Sequence, residues 1–238
     1  MAVSPPARSG TGRARPGTGR AGRVSHRQAA TELAGRDPVI ADLVRQVGYP
    51  VVPVPRQSHF ASLVRSITHQ QLAGAAARTI HGRVVAALGG EVTPERILAT
   101  APQTLRAAGL SGNKLASLCD LAGKVVDGTV VLDARGLARE SDEEVVARLS
   151  TVRGIGVWTA QMFLIFHLRR LDVWPTGDLG VRKGYAVAWR VPLPSPRALA
   201  ELGDPFRPYR SVAAWYCWRA AELPREAAAE DAASPSRT

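Results

Sequence analysis

The chain has 238 residues, of which 45% are hydrophobic and 21% charged, a balance typical of a globular protein with a sizeable core. Its formal net charge of +11 favours a polyanionic partner such as nucleic acid, although residues 1–28 carry six arginines and no acid. Two cysteines cannot supply an iron–sulfur cluster or a zinc ribbon, and no run of about 18 apolar residues predicts a membrane span.

The chain divides by composition into three parts. Residues 1–28, rich in Arg, Gly, Pro and Ser, are predicted to be a disordered basic tail that either attracts phosphates or is simply solvated. Residues 29–223 are predicted to form a helical domain, and residues 224–238 a flexible C-terminal tail. The N-terminus lacks the apolar stretch of a secretory signal, so we expect a soluble cytoplasmic protein of bacterial type without a membrane partner.

The apolar spacing between the tails is helical. Residues 113–126 carry apolar side chains at three- and four-residue spacing, which predicts one buried helix face: Leu115, Leu118, Cys119, Ala122, Val125 and Val126. Ser141 with Glu144 forms a capping box before the next helix. Residues 157–168 are apolar nearly all round, which predicts a buried central helix, and Ser195-Pro196 marks another helix start. Strand candidates are limited to 51–54, interrupted by prolines, and 128–132, so we predict an all-α fold of roughly ten helices.

The segment 149–160 predicts a hairpin, spanning about 142–168, of two helices joined by Gly154-Ile155-Gly156. Such a turn exposes backbone N–H groups at the start of the second helix, where the helix dipole also favours a phosphate. The alternative is a helix–helix turn that needs glycine only for its own geometry.

Asp178 follows this hairpin in Pro-Thr-Gly-Asp-Leu, where another helix is predicted to begin. A fixed carboxylate can stabilise the positive charge that develops on a sugar when an N-glycosidic bond breaks. The alternative role is a simple N-cap. Asp172 is a rival carboxylate, which we expect to form a solvated ion pair. Hairpin and carboxylate together suggest an enzyme that acts on a DNA base.

Four segments in this order resemble the helix-hairpin-helix DNA glycosylase superfamily, and more narrowly its alkylation-repair branch, DNA-3-methyladenine glycosylase II. They are the hairpin at 149–160, residues 63–72 (Leu-Val-Arg-Ser-Ile-Thr-His-Gln-Gln-Leu), residues 109–114, and residues 206–211 leading to Trp218. The resemblance covers residues 37–220. It implies a two-lobed, all-helical fold with the active site in the cleft between the lobes, into which a damaged nucleotide is flipped.

The resemblance also assigns chemistry. Asp178 matches the family's catalytic aspartate, and Trp158 stands where bifunctional members carry a lysine. Residues 149–170 contain no lysine, and Schiff-base chemistry needs an amine, so we expect a monofunctional enzyme that leaves an abasic site. The branch that carries an iron–sulfur cluster is excluded by the cysteine count, and no cofactor is expected to be required.

The family pattern places the base pocket at aromatic positions that could stack on a cationic alkylated purine. Some members carry an aromatic residue where this chain has Met162, and a bulky wedge residue where it has Gly112, for which Leu110 or Asn113 could substitute. Core packing is the alternative role for each tryptophan. The predicted pocket residues are Trp158, Trp218, Met162 and Gln71.

The resemblance further predicts a DNA interface and an ion site. We expect a monomer, because one cleft completes the site. The partner is double-stranded DNA containing damaged bases. Family hairpins often hold Na⁺ or K⁺ through backbone carbonyls, here those of Ser150, Val152 and Ile155. The predicted DNA-binding residues are Arg153, Gly154, Ile155, Gly156, Gly112 and Lys114.

Two other functions fit the same segments. The scaffold could act on another damaged or mismatched base, or it could be a non-enzymatic module that recognises damaged DNA. Asp178 argues against the second, because binding alone does not need a carboxylate facing a polyanion.

Overall fold

A computed structural model describes residues 24–223, and within that range the secondary structure is helical with no strand, which confirms the all-α prediction. Residues 24–223 contain thirteen α-helices where about ten were expected, because several have only six or seven residues and show no clear periodicity. They are α1 (His26–Ala34), α2 (Pro38–Val47), α3 (His59–His69), α4 (Gly74–Ala87), α5 (Pro94–Ala99), α6 (Pro102–Ala107), α7 (Gly112–Val126), α8 (Ala134–Arg139), α9 (Asp142–Leu149), α10 (Val157–Met162), α11 (Leu179–Ala188), α12 (Pro196–Leu202) and α13 (Arg210–Glu222).

The helical part begins at His26 and not at residue 29, which corrects the predicted boundary. Ser25 and Gln28 cap α1 reciprocally through side chain and backbone, and this box fixes the first turn within the predicted tail. The rest of that tail, 1–23, and the predicted C-terminal tail, 224–238, lie outside the described residues.

Two hydrophobic cores give the molecule two lobes, as predicted. The first core is built from residues between Phe60 and Val173, which includes α3 to α10. The second combines α1 and α2 with α11 to α13, so the two ends of the described chain share one lobe. Trp218 packs against both cores and therefore lies where the lobes meet.

The predicted starts at Ser141 and Ser195 are confirmed, and α7 matches the predicted helix. On α7 the periodicity is right for Leu118 and Ala122, which are buried, but Val126 near the C-terminal end is exposed. Leu121, which the pattern missed, is fully buried.

The prediction of one buried helix over 157–168 is wrong in two respects. Helix α10 ends at Met162 and continues as a π-helical turn, Phe163–His167. Val157, Trp158 and Phe166 are exposed by 40% or more, because this side of the segment faces outward from the first core.

Helices α11 and α13 approach so closely that only glycine fits between them. A Cβ atom on Gly184 would lie 1.7 Å from the carbonyl oxygen of Cys217. The same face of α11 carries Gly180, where a Cβ would lie 2.9 Å from the Trp218 ring. The two glycines therefore set the position of α13, and with it the position of Trp218.

No helix within residues 24–223 is long and apolar enough to cross a membrane.

Candidate active site and DNA interface

Asp178 begins α11 as its N-cap, at the junction of the two lobes. Its side chain is almost fully buried, with 8% of the residue exposed, and its Oδ1 accepts a hydrogen bond from the backbone N–H of Val181 at 2.8 Å. The N-terminus of the helix thus stabilises the ionised carboxylate. The predicted helix start and the cap are both present, so capping and a catalytic role are compatible in one residue.

Two tryptophans donate further hydrogen bonds to this carboxylate. The indole Nε1–H of Trp158 donates to Asp178 Oδ2 at 2.6 Å, and that of Trp218 donates to Oδ1 at 3.0 Å. A carboxylate can accept about four hydrogen bonds. The three donors therefore fix its orientation while leaving acceptor capacity on the group.

A cleft of about 570 Å³ lies beside this constellation. Phe166 lines the cleft and stacks on Trp218, with ring centroids 5.5 Å apart and planes 30° apart, and Trp218 in turn holds Asp178. Met162, one helical turn after Trp158, lines it too. The opposite wall comes from α3 and from the segment before it, including Ser62, Ser66, His69 and residues 52–57. Asp178, Trp158 and Trp218 are not among the residues that line this cleft, and Phe166 is the residue that connects Trp218 to it. Aromatic faces next to a fixed carboxylate are suited to a flat base.

The hairpin consists of α9, a turn over residues 150–156, and α10. Gly154 adopts φ 77°, and a Cβ atom there would lie 2.5 Å from Ser117 Oγ, so both backbone conformation and packing require glycine. Gly156, the N-cap of α10, has open space around it and no such restriction. Gly154 fits both alternatives, a phosphate-binding turn and a helix–helix turn that needs glycine for its own geometry. The open space at Gly156 leaves the backbone accessible from outside.

The other predicted site residues are spread over the same region. Arg153 is exposed, and its guanidinium reaches Asn113 Oδ1 at 3.3 Å. Gln71 is exposed at φ 56° in the turn after α3, and it is not among the residues that line the cleft. Gly112 is exposed at the start of α7. Lys114 is half-buried, and its ammonium donates to the carbonyl of Thr68 at 2.7 Å.

Two expectations need correction. Leu110, offered as a substitute wedge, is 3% exposed and belongs to the first core, so it cannot enter a DNA stack from there. Asp172 forms the expected ion pairing, but as a partly buried network with Arg207 and Arg210 and not as a solvated pair. Its oxygens are occupied by these guanidinium groups and by the Arg210 backbone N–H, which distinguishes it from Asp178.

Comparison with known proteins places the chain in a family. Residues 64–207 match the family described as HhH-GPD superfamily base excision DNA repair protein. The chain is 34% identical over 201 residues to DNA-3-methyladenine glycosylase 1 of Schizosaccharomyces pombe, covering 82% of this chain and 88% of the relative. This chain belongs to the HhH-GPD superfamily.

Solved structures agree with the HhH-GPD assignment. The 3-methyladenine DNA glycosylase of S. pombe in complex with abasic DNA has a TM-score of 0.70 at 34% identity, covering 82% of this chain and 97% of that one. DNA-3-methyladenine glycosidase from Bacillus halodurans has a TM-score of 0.74 at 32% identity, covering 81% and 88%. The two-lobed helical fold is therefore that of the superfamily.

Sequence reasoning missed several residues that position the HhH-GPD site. The pair Gly180 and Gly184, spaced one helical turn apart inside α11, was a readable sign of close helix packing. Gln70 donates to the carbonyl of Gly154 at 2.9 Å and so ties α3 to the hairpin. Phe166 was hidden by its apolar context, which gave no indication that it faces the cleft.

The five histidines, predicted to be surface or satisfied core residues, fall into two pairs and one single residue. His59 Nδ1 lies 2.7 Å from His167 Nε2, beside the cleft. His69 and His81 meet edge to face with centroids 5.8 Å apart. Nε2 of His26, Nε2 of His69 and Nδ1 of His81 are buried without a hydrogen-bond partner among residues 24–223.

Proposed function

We propose that this chain is a monofunctional DNA glycosylase that flips alkylated purines, of the 3-methyladenine and 7-methylguanine type, out of double-stranded DNA and hydrolyses the N-glycosidic bond. The observation that carries the proposal is the buried Asp178 carboxylate, held by two indole N–H groups and a helix N-terminus beside a cleft with an aromatic wall. The names of the relatives at 34% and 32% identity support the same reaction class.

The proposed reaction breaks the bond between C1′ of the sugar and the base nitrogen, whose electron pair leaves with the base. Positive charge then develops on the sugar, and the fixed carboxylate of Asp178 stabilises it. Water adds its oxygen to C1′ and releases a proton to the solvent, and the DNA is left with an abasic site. All three N–H donors around Asp178 require an acceptor, so the geometry suits an ionised charge stabiliser and not a proton donor.

The proposed substrate class rests on two features: the alkylated purine is a good leaving group, and the site offers aromatic side chains. A purine alkylated at N3 or N7 is a cation and departs without strong acid help, so the site needs mainly a surface that favours a flat cation. Trp158, Trp218 and Phe166 offer aromatic faces worth roughly 0.5–2 kcal/mol for each such contact. The type II branch of the alkylation-repair enzymes is the finer assignment that we propose.

The hairpin is proposed to hold the DNA backbone. The backbone N–H groups of Gly154, Gly156 and Val157 donate to no group within residues 24–223 and can bind phosphate oxygens. We also propose that the Ser150 and Ile155 carbonyls, which accept no hydrogen bond in that range, bind Na⁺ or K⁺ together with the Val152 carbonyl, which accepts the Ile155 N–H. Both lobes come from one chain, which supports a monomer.

The decisive experiment measures release of 3-methyladenine and 7-methylguanine from methylated duplex DNA by wild type and Asp178→Asn. We expect the wild type to release base and the variant to lose at least about 100-fold in rate while still binding DNA. Near-wild-type release by Asp178→Asn would refute the assignment of Asp178.

Asp37→Asn is a matched control for this experiment. Asp37 is also an N-cap, its Oδ1 accepts the backbone N–H groups of Val39 and Ile40, and its Oδ2 accepts the indole N–H of Trp189 at 3.2 Å. It differs from Asp178 in its partner, because Asp37 accepts from Trp189 and from neither Trp158 nor Trp218, so its variant should keep the wild-type rate. Tight binding to abasic DNA with no base release by the wild type would instead favour another lesion or a non-enzymatic binding module.

A further inference from the structure

Four polar side chains on α7 lie along one face of that helix and follow the hairpin turn. Asn113, Ser117, Asp120 and Lys124 are spaced by four, three and four residues, the spacing that aligns side chains on a helix surface. Each one meets the turn over residues 151–154. We call these four residues the α7 polar row.

Asn113 contacts the Arg153 guanidinium, whereas Asp120 and Lys124 bind the turn backbone. Asp120 Oδ2 accepts the backbone N–H of Arg153 at 2.7 Å, and Lys124 donates to the carbonyl of Thr151. Ser117 Oγ occupies the place where a Cβ on residue 154 would lie. Lys124 also pairs with Asp120 at 2.9 Å, so one acid and one base together hold one N–H and one carbonyl of the turn.

Asp120 places a negative charge next to the turn that is proposed to bind DNA phosphates. A carboxylate beside a turn that binds DNA phosphates repels them and weakens binding. Asp120 and Lys124 are only partly buried, with 32% and 25% of their side chains exposed, so the pair adds little stability as an ion pair. A positioning role offsets the repulsion, because it fixes the turn before DNA arrives.

We infer that Asp120 is a positioning residue for the proposed phosphate-binding turn, acting through its hydrogen bond to the Arg153 backbone. Two hydrogen bonds hold the turn in the arrangement that the structure shows: the Arg153 N–H binds Asp120, and the Ile155 N–H binds the Val152 carbonyl. In that arrangement the N–H groups of Gly154, Gly156 and Val157 remain available to phosphate. Preorganisation of this kind lowers the ordering cost of binding.

The protonation state of Asp120 fits this role. The Arg153 backbone N–H, followed by the Lys124 ammonium, holds the pKa of the Asp120 carboxyl below its ordinary value. The acceptor is therefore ionised throughout the neutral range.

The test measures the affinity of the full chain for a fluorescent duplex that contains a tetrahydrofuran abasic analogue. We expect Asp120→Ala to raise Kd about tenfold, although loss of an acid makes the protein more positive. Asp120→Asn keeps an oxygen that can accept the Arg153 N–H, so it should recover most of the affinity. The rate constant of base release at saturating enzyme should stay unchanged, because the turn does not contact the reacting atoms.

Asp127→Ala is the matched control. Asp127 lies at the C-terminal end of the same helix, its Oδ1 accepts the Thr129 backbone N–H at 2.8 Å, and its removal changes the charge equally. We expect its Kd to equal or fall slightly below that of the wild type. If Asp120→Ala binds as tightly as Asp127→Ala, the inference is wrong.

The inference can be tested even if Asp120→Ala is unstable or the proposed glycosylase activity is absent. If Asp120→Ala does not fold, Asp120→Asn and hydrogen exchange of the wild-type Arg153 amide replace it, and rapid exchange of that amide would overturn the inference. The inference rests on one part of the proposed function, namely that the protein binds DNA. A wild type that binds abasic DNA but releases no base would contradict the proposed glycosylase activity and leave the comparison of Asp120 with Asp127 intact.

Discussion

The role of a residue in this protein depends more on the residues around it than on its amino-acid type. Asp37 and Asp178 are both N-caps that accept an indole N–H, yet only Asp178 lies between two lobes and receives two indoles. The second indole comes from Trp218, which also stacks on a cleft residue. The difference in environment, and not the capping motif, makes Asp178 the candidate catalytic group.

Trp218→Phe tests whether the indole N–H contributes beyond stacking. Phenylalanine keeps an aromatic face against Phe166 but removes one of the three donors to Asp178, so the carboxylate gains rotational freedom. We expect the rate constant of base release to fall about 10- to 100-fold, since a hydrogen bond to a charged group is lost. Single-turnover assays on methylated DNA would measure it.

Trp215→Phe controls for the loss of a tryptophan on the same helix. Trp215 contacts Tyr216 edge to face and lies under the Arg219 guanidinium, away from Asp178. It should retain wild-type activity. Full activity in Trp218→Phe would show that stacking alone accounts for that position.

At the scale of secondary-structure elements, close packing between α11 and α13 carries the site. Helix α11 presents Asp178 at its N-terminus and α13 presents Trp218, so the distance between these helices determines whether the indole reaches the carboxylate. Gly180 and Gly184 permit that distance. The hairpin shows the same dependence, because its turn is held by α3 and by the α7 polar row.

Gly184→Ala should destabilise the protein and reduce activity together. The added methyl would meet the Cys217 backbone, which cannot move like a flexible side chain, so α13 must shift. We expect the free energy of unfolding to fall by about 1–3 kcal/mol, as for other overpacked sites. Urea unfolding would measure the change.

Gly82→Ala provides the reference for a glycine inside a helix. Gly82 lies within α4, and nothing would come within 4 Å of its added Cβ. Alanine there should stabilise the protein by about 0.4–1 kcal/mol. Equal effects of the two substitutions would contradict the packing argument.

At the scale of the whole molecule, all five histidines share one electrostatic property. Burial is the largest cause that lowers the pKa of each, and it lowers the pKa of His167 to about 4. The unfolded chain therefore binds protons that the folded protein does not bind. Because the unfolded state holds more protons, stability decreases as the pH falls.

We expect the free energy of unfolding to decline steadily as the pH falls from the ordinary histidine pKa of about 6.5 towards about 4. His167→Gln should flatten this slope, since its pKa is the one lowered furthest into this window. Urea unfolding of both proteins at pH 7.5, 6 and 5 would measure it. A stability that stays constant or rises on acidification would contradict the prediction.

Much of the fold could be predicted from the sequence because helices leave local signals. Capping boxes, apolar periodicity and the glycine turn depend on residues within a few positions of one another, so the helical class, the hairpin and the helix start at Asp178 were predictable. The helical part begins before residue 29 for an equally local reason, since Ser25 and Gln28 form a capping box within the predicted tail.

The tertiary structure alone decided which side chains meet. The sequence determined an all-helical chain, a hairpin and a carboxylate after it, and through its motifs the superfamily. It did not determine that Trp158 and Trp218 would both donate to Asp178, that Phe166 would face the cleft, or that Asp120 would bind the hairpin. Asp178 lies 20 positions from Trp158 and 40 positions from Trp218, and Asp120 lies 33 positions from Arg153. Contacts over such separations depend on how helices pack, and helix packing follows from the three-dimensional fit of both cores.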